Sequence, residues 1–227
     1  MSDLNHWQSA ELPDTRTLQG RFVRLEKLSA ARHGDGLWEA LEGPAADPRL
    51  WDYLFVGPFP ERNAFDDYLA GLEGSVDPWF YTVVDQQTGN IDGFLALMSI
   101  VPSAGRIEIG HVTFGASMQR TPKATEAVYL LARESFALGN RRLEWKCNAD
   151  NARSKRAAER FGFTFEGTFR QHAVSKGQNR NTAWYSIIDS EWPDVERAFD
   201  AWLGVDNFDN GEQVRKLEEL RGQPLTE

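Results

Sequence analysis

The chain has 227 residues, 41% of them hydrophobic and 26% charged, with a formal net charge of −9. That length suits one domain with added elements, and it buries enough surface to need no disulfide or metal staple. Cys147 stands alone, so an intramolecular disulfide is excluded, and His6, His33, His111 and His172 lack ligand spacing, so no metal is expected. No apolar run reaches the roughly 20 residues of a membrane span, and the opening MSDLNHWQSAELPD is polar and acidic, unlike a targeting peptide. A cytoplasmic, reducing-compartment protein is expected, with no membrane and no nucleic-acid partner, since net acidity opposes phosphate binding.

Residues 1–16 read as a loose lead-in. Alternation of Phe22, Arg24 and Glu26 with Val23, Leu25 and Lys27 predicts a strand, and Ala30 to Leu41 a helix stopped by Gly43-Pro44. An irregular stretch rich in Pro and aromatics covers 44–62, and Ala64 to Leu72 predicts a second helix. Three strands follow: Trp79–Val84, Ile91–Val101 and Arg106–Phe114, separated by Gln87-Thr88-Gly89-Asn90 and Pro102-Ser103-Ala104-Gly105. They predict antiparallel hairpins. The period then changes. Ala124, Val128, Leu131, Ala132, Ser135 and Leu138 share one helix face, and Gly139-Asn140 ends it. Leu143, Trp145 and Cys147 alternate as in a strand, and Asn151 is a good N-cap for a helix through Phe161. Two more strands are expected at about 165–174 and 182–188, then an amphipathic segment carrying Val195, Phe199, Trp202 and Leu203. The strand–helix–strand step from Arg106 to Asn148 predicts a parallel crossover, hence an α/β (α+β) domain with a mixed, mostly antiparallel sheet and helices on both faces.

Charge is uneven. Between Arg120 and Arg160 there are ten basic and five acidic residues, a local excess of five that leaves −14 on the remainder. This suits a polyanion held in one place, or a solvated helix face. Gly110 to Ala127 reads as strand, loop and helix start. Unpaired N–H groups at such a start favour phosphate, and Arg120, Thr121 and Lys123 would add to the cradle; the alternative is an ordinary capped helix with Pro122 in its first turn.

The order A-T-E-A (124–127), then Asn151-x-x-Ser154, Phe161-Gly162-Phe163 and Glu166-Gly167 resembles the GNAT N-acetyltransferases, nearest the RimJ/RimL-like ribosomal-protein alanine acetyltransferases. The likeness runs from about Thr17 to Ile188. It implies a GNAT acyl-CoA N-acyltransferase domain over 17–190, a C-terminal helical extension over 191–227, acetyl-CoA as co-substrate and a primary amine as acceptor. It further implies that the fourth and fifth strands splay to admit pantetheine. Gln119 and Ala124 match the ends of the family's Q/R-x-x-G-x-G/A phosphate loop. Pro122 replaces its middle glycine and removes one amide donor. The implied cofactor contacts are Val112, Phe114, Gln119, Arg120, Thr121, Lys123, Ala124, Thr125, Asn148, Asn151 and Ser154. The family's acidic Tyr is absent because Ala158 occupies its place, and Ser154 is the expected donor to the leaving thiolate.

A base must reach the amine. Glu108 matches the family's glutamate on the fourth strand, and alternation groups it with Gly110, Val112 and Phe114, away from Ile107 and Ile109. His111 and Glu144 are rival bases, and an ion pair of Glu108 with Arg106 or Lys146 is the structural alternative. An oxyanion donor is implied near Phe114. Trp51, Tyr53, Phe55, Trp79 and Phe80 are candidates to line an acceptor pocket or to form core. Residues 192–227 are expected to cover a sheet edge or make an oligomer contact, such as a homodimer. Two other classes compete with the enzyme: a catalytically silent acyl-CoA-binding module of the same fold, and a nucleotide-binding α/β protein.

Overall fold

The computed structural model describes residues 4–221, so parts of the lead-in and of the extension lie outside the described residues. The elements in order are β1 (Leu18–Gln19), β2 (Val23–Lys27), α1 (Ala30–Glu42), α2 (Arg62–Glu73), β3 (Trp79–Asp85), β4 (Ile91–Val101), β5 (Arg106–Phe114), α3 (Pro122–Ala137) and β6 (Arg142–Asn148). Then come α4 (Ala152–Phe161), β7 (Thr164–Ser175), β8 (Gln178–Ile188), α5 (Trp192–Leu203), β9 (Phe208–Asp209), β10 (Glu212–Gln213) and α6 (Leu217–Leu220). Eight strands form one sheet in the order β1-β2-β3-β4-β5-β6-β8-β7. Every neighbouring pair is antiparallel except β5 and β6, which α3 joins in parallel.

Alternation along β4 divides the interior. Leu95 and Leu97 face the large core beneath α3, α4 and α5, while Phe94 and Ala96 face a smaller core beneath α1 and α2. Helices therefore cover both faces, as the pattern predicts. Asn151 caps α4 by accepting the Ser154 N–H at 3.0 Å, and Gly162 ends it in the left-handed region at φ 97°.

The extension packs mostly on helices. It reaches one sheet edge only at the β1–β2 turn, where Arg21 donates to the Leu203 carbonyl at 3.0 Å and Phe22 meets Phe208 at 5.5 Å between ring centroids. For the rest, α5 lies on α3, and α6 on α4 and α5. Trp192 stacks on Phe136 at 4.7 Å, and Phe199 on Tyr129 at 5.1 Å. The apolar stripe of Val195, Phe199 and Trp202 is buried in the large core, which favours this packing. The lead-in has no regular element within 8–17, yet the Ala10 and Glu11 N–H groups bond the Pro102 and Leu138 carbonyls.

Two features of β5 position the site. First, its pairing with β6 runs only from Arg106↔Arg142 to Ile109↔Trp145. Beyond that point β5 stays with β4 as far as Phe114, and β6 stays with β8 as far as Asn148. The two strands diverge. Second, β5 carries a bulge. Ala96 pairs with Gly110 and Phe94 with Thr113, so β5 holds one residue more than β4 over this span, and His111 takes φ 49°. The extra residue inverts the faces beyond it. Val112 and Phe114 pack on the large core with Ile107 and Ile109, not beside Glu108, which overturns the simple alternation. Gly93 allows this close approach, because a Cβ there would collide with the Thr113 carbonyl.

Glu126 ties α3 to the first strands. Its carboxylate accepts the N–H groups of Arg21, Phe22 and Val23 at 2.7, 2.6 and 2.7 Å, and it is buried. Glu126→Ala should cost about 3 kcal/mol or more, because it strands several donors away from water. Urea unfolding of the two proteins measures this directly, and a loss below about 1 kcal/mol would show that water replaces the carboxylate.

Candidate active site

The divergence of β5 and β6 leaves backbone groups facing a slot rather than each other. At its closed end stands Glu108, only 5% exposed. Its Oε2 receives the Lys146 ammonium at 2.7 Å and the Ser99 hydroxyl at 2.9 Å. Oε1 makes no hydrogen bond among the described residues. Burial pushes this carboxyl above the usual range, and Lys146 and Ser99 pull it only part of the way back. The ion pair with Lys146 is thus real, and it leaves one oxygen open.

The rival bases differ. Glu144 is buried among three cations: Arg142 at 2.9 Å, Lys146 at 3.5 Å and Arg106 at 3.6 Å. Its charge is compensated from three sides. His111 is half-buried, with its ring edge on Phe80 at 5.1 Å between centroids, and burial lowers its pKa, so the imidazole is neutral.

The loop into α3 behaves only partly as expected. Thr121 is the N-cap residue but makes no side-chain cap, and its hydroxyl donates to the Met118 carbonyl at 2.7 Å. Pro122 occupies the first helical position, where an N–H would lack a partner anyway. The N–H groups of Lys123 and Ala124 follow it at the open end of the helix. Arg120 is exposed, and its φ of 62° is a left-handed conformation uncommon outside glycine. Lys123 turns elsewhere: its ammonium meets Asp92 at 2.6 Å and Asp85 at 2.7 Å. Burial raises Asp85, but the Lys123 bond and the N–H groups of Thr88 and Gln87 outweigh it and hold it at about 2. The charge of Lys123 is therefore neutralised beneath the loop and does not face a phosphate. Gln119 bonds the Phe114 carbonyl at 3.3 Å, and Thr125 is buried and receives Arg160 at 2.9 Å. Thr125 is thus turned away from the loop surface, while Gln119 stays exposed.

A family model, the acetyltransferase (GNAT) domain, matches residues 24–164. A GCN5-related N-acetyltransferase from Brucella melitensis is 45% identical, with a TM-score of 0.92 over 97% of this chain and 100% of that one. The chain belongs to the GNAT acetyltransferase family. A probable GNAT-family acetyltransferase from Chromobacterium violaceum is 41% identical, with a TM-score of 0.79 over 85% of this chain and 96% of that one. RimL, the ribosomal L7/L12 alpha-N-protein acetyltransferase, shares the fold at 20% identity, TM-score 0.66, over 76% of this chain and 94% of that one. No curated protein matches the chain. The GNAT family uses acetyl-CoA as co-substrate, and no helix among the described residues is long and apolar enough to cross a membrane.

In this GNAT chain the groups implied for pantetheine retain free donors. Asn148 Oδ1 accepts the Asp150 N–H and Asn151 Oδ1 that of Ser154, both at 3.0 Å, while both Nδ2 groups make no hydrogen bond among the described residues. The Ser154 oxygen accepts the Trp145 indole N–H at 3.0 Å, so its own proton remains to be donated. Of the aromatic candidates, Trp51 and Phe80 are core, and Trp79 packs on the opposite large core with Lys27 at 4.0 Å over its ring. Tyr53 and Phe55 are exposed, on a strap that crosses to the other side of the site: the Tyr53 hydroxyl donates to the Asp150 carbonyl at 3.3 Å. Lys176, in the β7–β8 turn, donates to the carbonyls of Trp51 and Gly57 at 2.9 and 2.8 Å. Sequence reasoning offered Tyr53 and Phe55 as pocket candidates on an irregular connection but missed how Lys176 and Tyr53 fasten that strap, and it missed the role of Ser99. The alternation of β6 did hold the signal for Lys146, which shares a face with Glu144.

Lys146 holds the Glu108 charge, so Lys146→Met should move the Glu108 titration upward from its already raised value, while Lys146→Arg should stay near wild type. Carboxyl carbon NMR across pH reads this shift, and no movement in Lys146→Met would sever the link.

Proposed function

We propose that this protein is an N-acetyltransferase that moves the acetyl group of acetyl-CoA to a primary amine by direct attack, with Glu108 as the base. The observation that carries this reading is the slot between β5 and β6 with the unbonded Oε1 of a buried carboxylate at its closed end. An ammonium cannot attack, so a proton must leave first. A carboxylate with a raised pKa takes that proton near neutral pH more readily than an exposed one.

The residues present fit acetyl-CoA. The Lys123 and Ala124 N–H groups and the Arg120 guanidinium would hold its diphosphate, with Pro122 contributing no donor. Asn148 and Asn151 Nδ2 would meet pantetheine carbonyls, and the open edge of β5 around Val112 and Phe114 would bond its amides. Bound there, acetyl-CoA supplies the activated acetyl carbon. Glu108 accepts the amine proton as the new C–N bond forms and the C–S bond breaks. A main-chain N–H of β5 near the bulge stabilises the negative charge on the acyl oxygen. Ser154 donates a hydrogen bond to the departing sulfur, and the thiolate takes up the second amine proton. The RimJ/RimL-like reading adds a protein N-terminus as one acceptor class, supported by shared fold and by the Asn151-x-x-Ser154 spacing alone. A cytoplasmic setting agrees with the single buried thiol, Cys147.

Glu108→Gln should lower kcat by about 10²–10⁴-fold, the usual worth of a positioned base, while acetyl-CoA affinity stays within about twofold. CoA release with a turned-over amine and calorimetric titration of acetyl-CoA separate the two, and unchanged kcat would remove Glu108 from the mechanism. In the wild type, kcat/KM should fall as pH drops through the raised Glu108 value, because protonation occupies the base. Lys146→Met should move that acidic limb to higher pH. The groups that set it, beside burial, are Lys146 and Glu144 on β6, Ser99 on β4 and Arg180 on β8.

A further inference from the structure

Beside the slot, β8 presents donors that no protein group satisfies. Arg180 and Trp184 occupy the same face of that strand by alternation. Trp184 places its ring 4.2 Å from the Lys146 ammonium, on the side where Lys146 meets Glu108. Arg180 lies toward the open end of the slot, past the Asn148↔Thr182 pair that ends β6. Its guanidinium covers the Phe55 ring of the strap at 4.7 Å. The Arg180 Nε and the Trp184 Nε1 are both buried, and neither has a hydrogen-bond partner. No carboxylate pairs with Arg180 among the described residues.

The one carboxylate whose attraction reaches it, Glu108, is already paired with Lys146. A half-buried guanidinium without an anion is costly, and burial does push its pKa down, against the attraction of Glu108 and Cys147. Structures keep such a group where a ligand completes it. The opposing charge must come from the occupant of the cleft. A polycationic acceptor would instead meet like charge here.

We propose that the acceptor is a primary amine that also carries a carboxylate, with Arg180 binding that carboxylate and the Trp184 indole N–H a second acceptor oxygen. This rests on the acetyl-transfer reading above, because it places the amine at Glu108. Free amino acids and peptides with acidic N-terminal residues share the required chemistry.

The test measures CoA release with matched acceptors: free amino acids against their α-amides, and peptides starting with Asp or Glu against the same peptides starting with Asn or Gln. Wild-type protein should favour the carboxylate-bearing member of one series at least tenfold in kcat/KM, and the series that shows it identifies the source. In Arg180→Met the acid-to-amide ratio should fall at least tenfold, and Arg180→Lys should restore part of it. A retained thermal shift with acetyl-CoA shows that each variant is folded. Equal use of acids and amides, preference for a polyamine such as spermidine, or an unchanged ratio in Arg180→Met overturns the inference and leaves acetyl transfer standing. Weakened acetyl-CoA binding in Arg180→Met with the ratio intact assigns the arginine to the cofactor and also overturns it. No CoA release with any amine overturns both readings.

Discussion

The structure depends on where two parallel strands stop bonding to each other. β5 and β6 are paired from Arg106↔Arg142 to Ile109↔Trp145, and each then remains with its outer neighbour. A sheet normally satisfies its N–H and C=O groups across every neighbour. Here the groups beyond Ile109 face a gap. Such edges in the middle of a sheet persist when a ligand with amides of its own completes them, and pantetheine is such a ligand. The bulge at His111 works with the gap, since it turns Val112 and Phe114 into the large core and leaves Glu108 on the other face.

Electrostatics then organise the closed end. Arg106, Arg142, Glu144, Lys146 and Glu108 form a chain of alternating charge across the paired part of β5 and β6. The chain links the two strands just before they part. A buried pair of this kind adds little net stability compared with apolar packing, but losing one member is expensive. Its value here is geometric: Oε2 of Glu108 is held by two donors and Oε1 is left open. Much of the local basic excess is used in this way. Lys123 serves Asp85 and Asp92, Arg141 faces Asp189, and Arg153 faces Asp47. Among the described residues Arg120, Arg133, Lys155, Arg156 and Arg160 make no ion pair, and Arg160 is turned to Thr125, so the charge left for a polyanion is smaller than the count of basic residues suggests.

The strap over 51–58 adds an outer wall. It is fastened by main-chain carbonyls to Lys176 and by Tyr53 to the loop before α4. A wall built from an irregular, aromatic-rich connection on a regular scaffold is where acceptor choice is expected to lie, since loops change without disturbing the sheet.

The sequence by itself determined the elements and the family. Period-2 and period-3.6 patterns, the turn residues and the Asn151 cap are local properties, so the strands, the helices and the mixed sheet were legible, and the motif pair at 119–127 and 151–167 pointed to GNAT. It also put Glu108 and Lys146 on one face of adjoining strands, through alternation alone. Only the tertiary structure decided which Glu108 oxygen is free, that Lys123 turns from the loop to Asp85 and Asp92, and that α5 stacks on α3. It alone placed Val112 and Phe114 on the core side, because a single extra residue in β5 changes no local preference but reverses every side chain beyond it. Contacts such as Arg180 with Phe55 join residues far apart in the chain, and no local pattern encodes such a meeting.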